Sequence, residues 1–197
     1  QVTSEIKPLR KVLVHRPGDE LKYLTPDTLG ELLFDDIPDL TKAQKEHDAF
    51  ADILRKEGVE VVYLEDLMAE TLDANEGLRE KFIDEYLDDA GIHTETYHNI
   101  LKKFFAGIKD TKEFVMKTMA GVSFKELGDI ETNFLIDELE HPYLLVNPMP
   151  NLYFTRDPFA SVGNGAVINK MFSVTRNRET IYADYIFKYH PEYKGQV

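Results

Sequence analysis

The sequence contains no cysteine. Within these 197 residues that excludes disulfides, thiolate metal sites and a cysteine nucleophile. Basic charge is also short: 23 Lys and Arg stand against 36 Asp and Glu, for a net charge of −13. Such a chain repels phosphate-bearing partners, so neither nucleic acid nor an anionic membrane surface is expected to bind it, whereas a cationic small molecule is attracted. No run approaches the ~18 consecutive apolar residues of a membrane span, and the opening QVTSEIKPLRKVLVHRPG lacks the apolar core of a signal peptide. The sequence therefore reads as cytoplasmic. Its six histidines, at 15, 47, 93, 98, 141 and 190, form no close pair of the His-x-x-x-His kind, so neither a metal nor another cofactor is expected.

What is present is ordinary globular material, 43% hydrophobic and 30% charged. The length exceeds that of a typical single domain without reaching two, which suggests one domain with an insertion. KVLVHRPG reads as a short strand ended by Pro17-Gly18. Thr41 is a possible helix cap, with Ala43, His47, Phe50, Ala51 and Leu54 at helical spacing before Gly58. VEVVYL follows as a buried strand, completing a strand, helix, strand unit that favours parallel pairing.

From Leu67 to His141 three segments carry helical periodicity: Leu78 to Leu87 ending near Gly91, Tyr97 to Ile108, and Phe114 to Met119 behind a capping Asp110. They suggest a helical bundle inserted between sheet-forming pieces. Strand character returns at Tyr143–Val146. Two extended runs then flank Gly163-Asn164-Gly165, and Asn-Gly suits a tight hairpin. A last helical face, Ile181, Tyr185, Ile186 and Tyr189, is cut by Pro191. The expected division is thus an α/β segment over 1–66, a helical domain over 67–141 and a second α/β segment over 142–197. EYKGQV at the end reads as a turn entering a further strand, so the chain is expected to be a fragment.

The stretch NLYFTRDPF concentrates the chemistry. Asp157 precedes Pro158, which favours an extended backbone, and the pair is as common in turns and helix starts as in ligand sites. No helical pattern follows it. A carboxylate among aromatic rings suits a planar cation, because a guanidinium stays protonated and pairs with carboxylate in a bidentate fork. Phe154 offers a ring face for cation–π contact, or is a core aromatic. Asn151 is either a turn residue or an amide presented to a polar ligand. Arg176, between hairpin and helix, either is solvated or binds a carboxylate. Arg156, next to Asp157, points the other way and reads as a surface residue.

The ordered series HRPG, ELLFDDIP, AQKEHDAFA, PMPNLYFTRDPFA, GAVINKM and TRNRETIYADYIFKYHPE resembles bacterial arginine deiminase over essentially the whole chain. The resemblance implies a pentein-like fold, a fivefold pseudosymmetric α/β propeller with an inserted helical domain, of which this chain holds part. It implies hydrolysis of L-arginine to citrulline and ammonia through a cysteine-bound amidino intermediate, with a histidine as general acid and base. By motif, Asp157 is expected to act in catalysis by holding the guanidinium nitrogens, with Phe154 against the guanidinium plane and Asn151 and Arg176 around the amino-acid end. The family's catalytic Glu, His and Cys motifs are not found in the sequence, so the chain alone is expected to be inactive. Exposed sheet edges make a homo-oligomer the expected state. Two further readings stand beside this one: another guanidino-group hydrolase or amidinotransferase of the same fold, and a non-catalytic binding module.

Overall fold

A computed structural model describes residues 2–128 and 144–196. Strand β1 (Lys11–Val14) pairs in parallel with β2 (Glu60–Tyr63), Lys11 opposite Glu60 and Val14 opposite Tyr63. Parallel neighbours need a crossover, and it is made by the single-turn helix α1 (Leu29–Leu32) and the long helix α2 (Leu40–Lys56). The cap of α2 is Asp39, whose Oδ1 accepts from the Lys42 amide at 2.7 Å, so Thr41 lies inside the helix rather than at its start. A carboxylate at the N-cap satisfies a free amide and complements the helix dipole, and the extended Asp39 backbone after Pro38 places it there. Of the expected inner face Ala51 is fully buried, while Phe50 is 53% exposed and packs edge-on against His47. Gly58 takes a left-handed φ of 79° and turns the chain into β2, whose central residues are half-buried.

Four helices follow: α3 (Leu64–Asp73), α4 (Leu78–Asp89), α5 (Glu95–Gly107) and α6 (Thr111–Ala120). The first was not expected as a separate helix, and a boundary at 67 falls inside it. It starts directly after β2, so no turn residue marks the change of period, yet Leu64, Met68 and Leu72 form its buried stripe. Asp110 caps α6 as expected, accepting from the Glu113 amide at 2.7 Å. At Gly121, with φ 78°, a Cβ would sit 2.6 Å from the Val146 carbonyl. Glycine there lets β3 (Val122–Ser123) close antiparallel on β4 (Leu144–Val146). Tyr143 and His141, which bounded expected segments, lie outside the described residues.

Strands β5 (Phe159–Val162) and β6 (Gly165–Ile168) form the expected antiparallel hairpin, Val162 opposite Gly165. The positive φ falls on Gly163, the first loop residue, at 61°, and not on Asn164 or Gly165. Gly163 also exchanges two backbone bonds of 2.7 Å with Val2, while the Ala166 amide donates to the Gln196 carbonyl at 2.5 Å. Helix α7 (Thr180–Tyr189) ends before Pro191.

Among the described residues, the larger of two apolar clusters joins the helical run, the β3–β4 pair and α7, while a smaller one of Leu21, Leu24 and Leu32 packs with Leu40 and Ala43 of α2. Phe82, Tyr86, Phe105 and Phe114 from α4 to α6 are fully buried together with Tyr182 and Tyr185 of α7, Val122 of β3 and Val146 of β4. Phe82 meets Tyr185 edge-to-face at 5.1 Å, a contact that adds about 0.5–1.5 kcal/mol beyond area burial. The buried hydroxyls are satisfied: Tyr86 donates to the Thr118 carbonyl at 2.8 Å, and Tyr182 lies 3.0 Å from the Thr118 hydroxyl. Among the described residues no helix is long and apolar enough to cross a membrane.

Beyond β1, His15 is buried between two carboxylates, Nδ1 at 2.9 Å from Glu65 and Nε2 at 3.0 Å from Glu20. Burial alone favours the neutral ring, but the two carboxylates outweigh it and push the imidazole up to about 10. Glu20 also accepts from the Gly18 amide at 2.6 Å, so the HRPG turn and the first turn of α3 are tied through one histidinium.

Candidate functional site

The segment before β5 folds as consecutive tight turns. A 3-10 turn over Pro150–Tyr153 passes into one in which the Asp157 amide donates to the Phe154 carbonyl at 3.1 Å. Pro158 then hands the chain to β5, and the Asn169 side chain donates to the Asp157 carbonyl at 2.8 Å, pinning the turn to the far end of the hairpin. Asp157 is thus a turn residue whose carboxylate reaches out of the turn, with its side chain 45% exposed. Arg156 pairs with the exposed Glu5, as a surface residue does, but it does not turn away from Asp157 as expected: both line the same cavity.

A second 3-10 turn, Val174–Glu179, leads into α7 and carries Arg176. Its Nη1 donates to Asp157 Oδ2 at 2.7 Å. Its other edge is gripped by Glu179, with Nε 3.0 Å from each carboxylate oxygen and Nη2 2.7 Å from Oε2. The Phe154 ring centroid lies 6.0 Å from the Arg176 Cζ, and the Tyr153 ring packs tilted against Phe154, centroids 3.9 Å apart. Burial opposes the Arg176 charge, but the Glu179 and Asp157 carboxylates more than offset it and raise its proton affinity. Burial pushes the Glu179 carboxyl up, against the pull of Arg176.

Asn151 is buried, and its amide nitrogen donates to the Leu32 carbonyl at 2.9 Å. Its own backbone carbonyl accepts from Arg176 Nη2 at 3.4 Å. The amide therefore ties the NLYF turn to the end of α1, where Leu33 adopts a left-handed φ of 61°. Leu33, Asp157, Asn169, Met171 and Arg176 share an open cavity of about 690 Å³.

Three of the residues singled out in the sequence, Asn151, Phe154 and Asp157, gather around the fourth, Arg176. Asp157 and Arg176 line the cavity; Phe154 flanks the Arg176 guanidinium, and Asn151 stands behind it. Other contributors were not anticipated, Glu179 and Leu33 among them. The spacing Arg176-x-x-Glu179, one turn apart, is a sequence signal that was available for Glu179. Nothing in ELLFDDIP marks Leu33, since a left-handed leucine goes against its own steric preference. Chemically, the arrangement offers a carboxylate and a ring for a planar cation next to a cation for an anion.

The arginine deiminase family model matches residues 30–197. An arginine deiminase of Treponema denticola is 59% identical over 197 residues, covering all of this chain and 48% of that protein. An arginine deiminase of Streptococcus pneumoniae is 56% identical over 200 residues and one of Streptococcus agalactiae 55% over 199, each spanning the whole chain and 49% and 48% of the relative. The chain therefore spans about half the length of the curated relatives it matches. With most of its length matched by the family model and a surface that gathers a carboxylate, an aromatic ring and a guanidinium, the chain belongs to the arginine deiminase family.

Proposed function

We propose that this chain supplies the guanidinium-binding part of an enzyme that hydrolyses L-arginine to L-citrulline and ammonia. The observation that carries the reading is the Asp157 carboxylate, exposed at the cavity and 2.7 Å from Nη1 of Arg176, whose guanidinium carbon lies 6.0 Å from the Phe154 ring. In this reading Asp157 takes the nitrogens of the substrate guanidinium, Phe154 its face, and Arg176 its carboxylate. Asn151 supports the end of α1 as well as the amino-acid side of the ligand.

The reaction needs a thiolate to attack the guanidinium carbon, release ammonia and carry the amidino group until water frees citrulline. These 197 residues hold no cysteine, so in this reading the thiolate comes from outside them, and the chain alone binds without turnover. The parallel β1–β2 pair with its crossover and the run of four helices support an organisation as propeller segments 1–66 and 142–197 around a helical domain 67–141. A cytoplasmic homo-oligomer is part of the same reading, and a light-scattering mass tests the assembly.

The decisive experiment uses the full-length protein that carries this chain. It should release citrulline from arginine, and Asp157→Ala should lower kcat/KM by roughly a hundred- to ten-thousandfold, the loss of two charge-assisted bonds of about 1.5–3 kcal/mol each. Undiminished turnover in that variant refutes the assignment. Amine-dependent transfer, or preference for another guanidino compound, moves the protein to a different activity on the same fold.

A further inference from the structure

The carboxylate assigned to the substrate guanidinium already holds one. Asp157 and Phe154 surround the guanidinium of Arg176, the residue expected to meet the ligand's carboxylate. In free arginine the guanidinium and the carboxylate are held apart by the aliphatic chain. One arginine molecule therefore cannot reach both Asp157 and Arg176 while those two touch.

The pair is built to exchange. Arg176 keeps its Nε and Nη2 on Glu179, a side chain only 2% exposed, and Nη2 also reaches the Asn151 carbonyl. Only Nη1 depends on Asp157, and the Asp157 carboxylate, 45% exposed, is open to solvent and to the cavity. Releasing this one contact frees the acceptor for an incoming guanidinium and leaves Arg176 anchored with a single edge to offer.

We propose that the Arg176–Asp157 pair is an internal latch that makes the site selective for ligands bearing both a guanidinium and a carboxylate. The proposal rests on the guanidinium-binding role given to Asp157 above. An arginine molecule replaces one internal pair with two intermolecular pairs, so no charge is left without a partner. A guanidine without a carboxylate breaks the latch and leaves the Arg176 Nη1 edge without its anion. Carboxylate binding at Arg176 and guanidinium binding at Asp157 are therefore positively coupled, even when the two groups arrive on separate molecules.

The first arm of the test uses the unaltered chain. Binding of propylguanidine to this chain is measured by calorimetry in sodium acetate and in sodium chloride at equal ionic strength; without a cysteine the chain does not consume the ligand. A latch predicts that acetate, by drawing Arg176 off Asp157, tightens propylguanidine about two- to fivefold, the range of a partly exposed ion pair. Acetate that leaves the affinity unchanged, or weakens it, overturns the latch. Asp157→Asn, checked for folding by circular dichroism, should abolish propylguanidine binding and the acetate effect with it. If that variant binds as tightly as the parent chain, or if propylguanidine does not bind the parent at all, the underlying guanidinium assignment fails as well.

Discussion

His15 shows how much one side chain can be made to carry. Each ring nitrogen faces a carboxylate within 3.0 Å and the ring is buried, so the folded state holds a proton that the unfolded chain gives up near the ordinary value of 6.5. Because the folded value is raised, to about 10, the stabilisation is fully present below pH 6.5, shrinks as pH rises and is gone above about 10. Denaturant midpoints measured from pH 6 to pH 10.5 should fall across that window. His15→Ala should cost about 3–5 kcal/mol at neutral pH, since two buried carboxylates lose their counter-charge, and should flatten the pH dependence. A midpoint that rises with pH contradicts the buried histidinium. At this scale the sequence could single out a residue by its conspicuous neighbourhood, as it did Asp157, whose place beside Arg176 the structure shows and whose role is a proposal. It was silent where the role comes from a partner far along the chain: nothing in the sequence pairs His15 with Glu65, because the parallel β1–β2 register brings them together.

Among the elements, α2 gives the cleanest comparison of two candidate caps. Asp39→Ala should destabilise the protein by about 1 kcal/mol through loss of the bond to the Lys42 amide, while Thr41→Ala should change stability by no more than about 0.5 kcal/mol. Paired urea titrations check this, and equal effects would return the cap to Thr41. Most elements were legible because their hydrophobic period is unbroken and ended by a glycine or proline, as at Gly58, Gly121 and Pro191. Helix α3 was hidden for the opposite reason. Its first residue follows the last residue of β2, so two periods run together without punctuation. The hairpin was legible as a hairpin but not in its turn geometry, since Gly163-Asn164-Gly165 permits more than one placement of the positive φ and the strand register selects among them.

For the whole molecule, the shared aromatic core matters more than any division of the chain. Phe82 touches side chains of its own helix, of α6 and of α7, so Phe82→Ala should cost about 3–5 kcal/mol and weaken elements distant in sequence together. Thermal unfolding followed by far-ultraviolet circular dichroism and by tyrosine fluorescence should give coincident transitions, shifted by the same amount in the variant. Separate transitions would show the helical run unfolding independently of α7. This continuity was not visible in the sequence, where the helical block and the later α/β segment are distinguished by pattern alone. Periodicity shows that a face is apolar, but not which face it meets.

The hairpin at Gly163 has a consequence for how the chain folds. It bonds to Val2 on one side and to Gln196 on the other, so it collects partners from far apart in sequence. Closing such loops costs entropy before any contact forms to offset it, and a structure rich in distant pairings crosses its folding barrier slowly. Its bonds to Val2 and Gln196 should therefore form late in refolding, after the helices have condensed, and Gly163→Ala should speed unfolding while leaving the refolding rate nearly unchanged. The Asn169 bond to the Asp157 turn, by contrast, needs only the hairpin itself, so this corner of the candidate site can form before the hairpin docks on Val2 and Gln196.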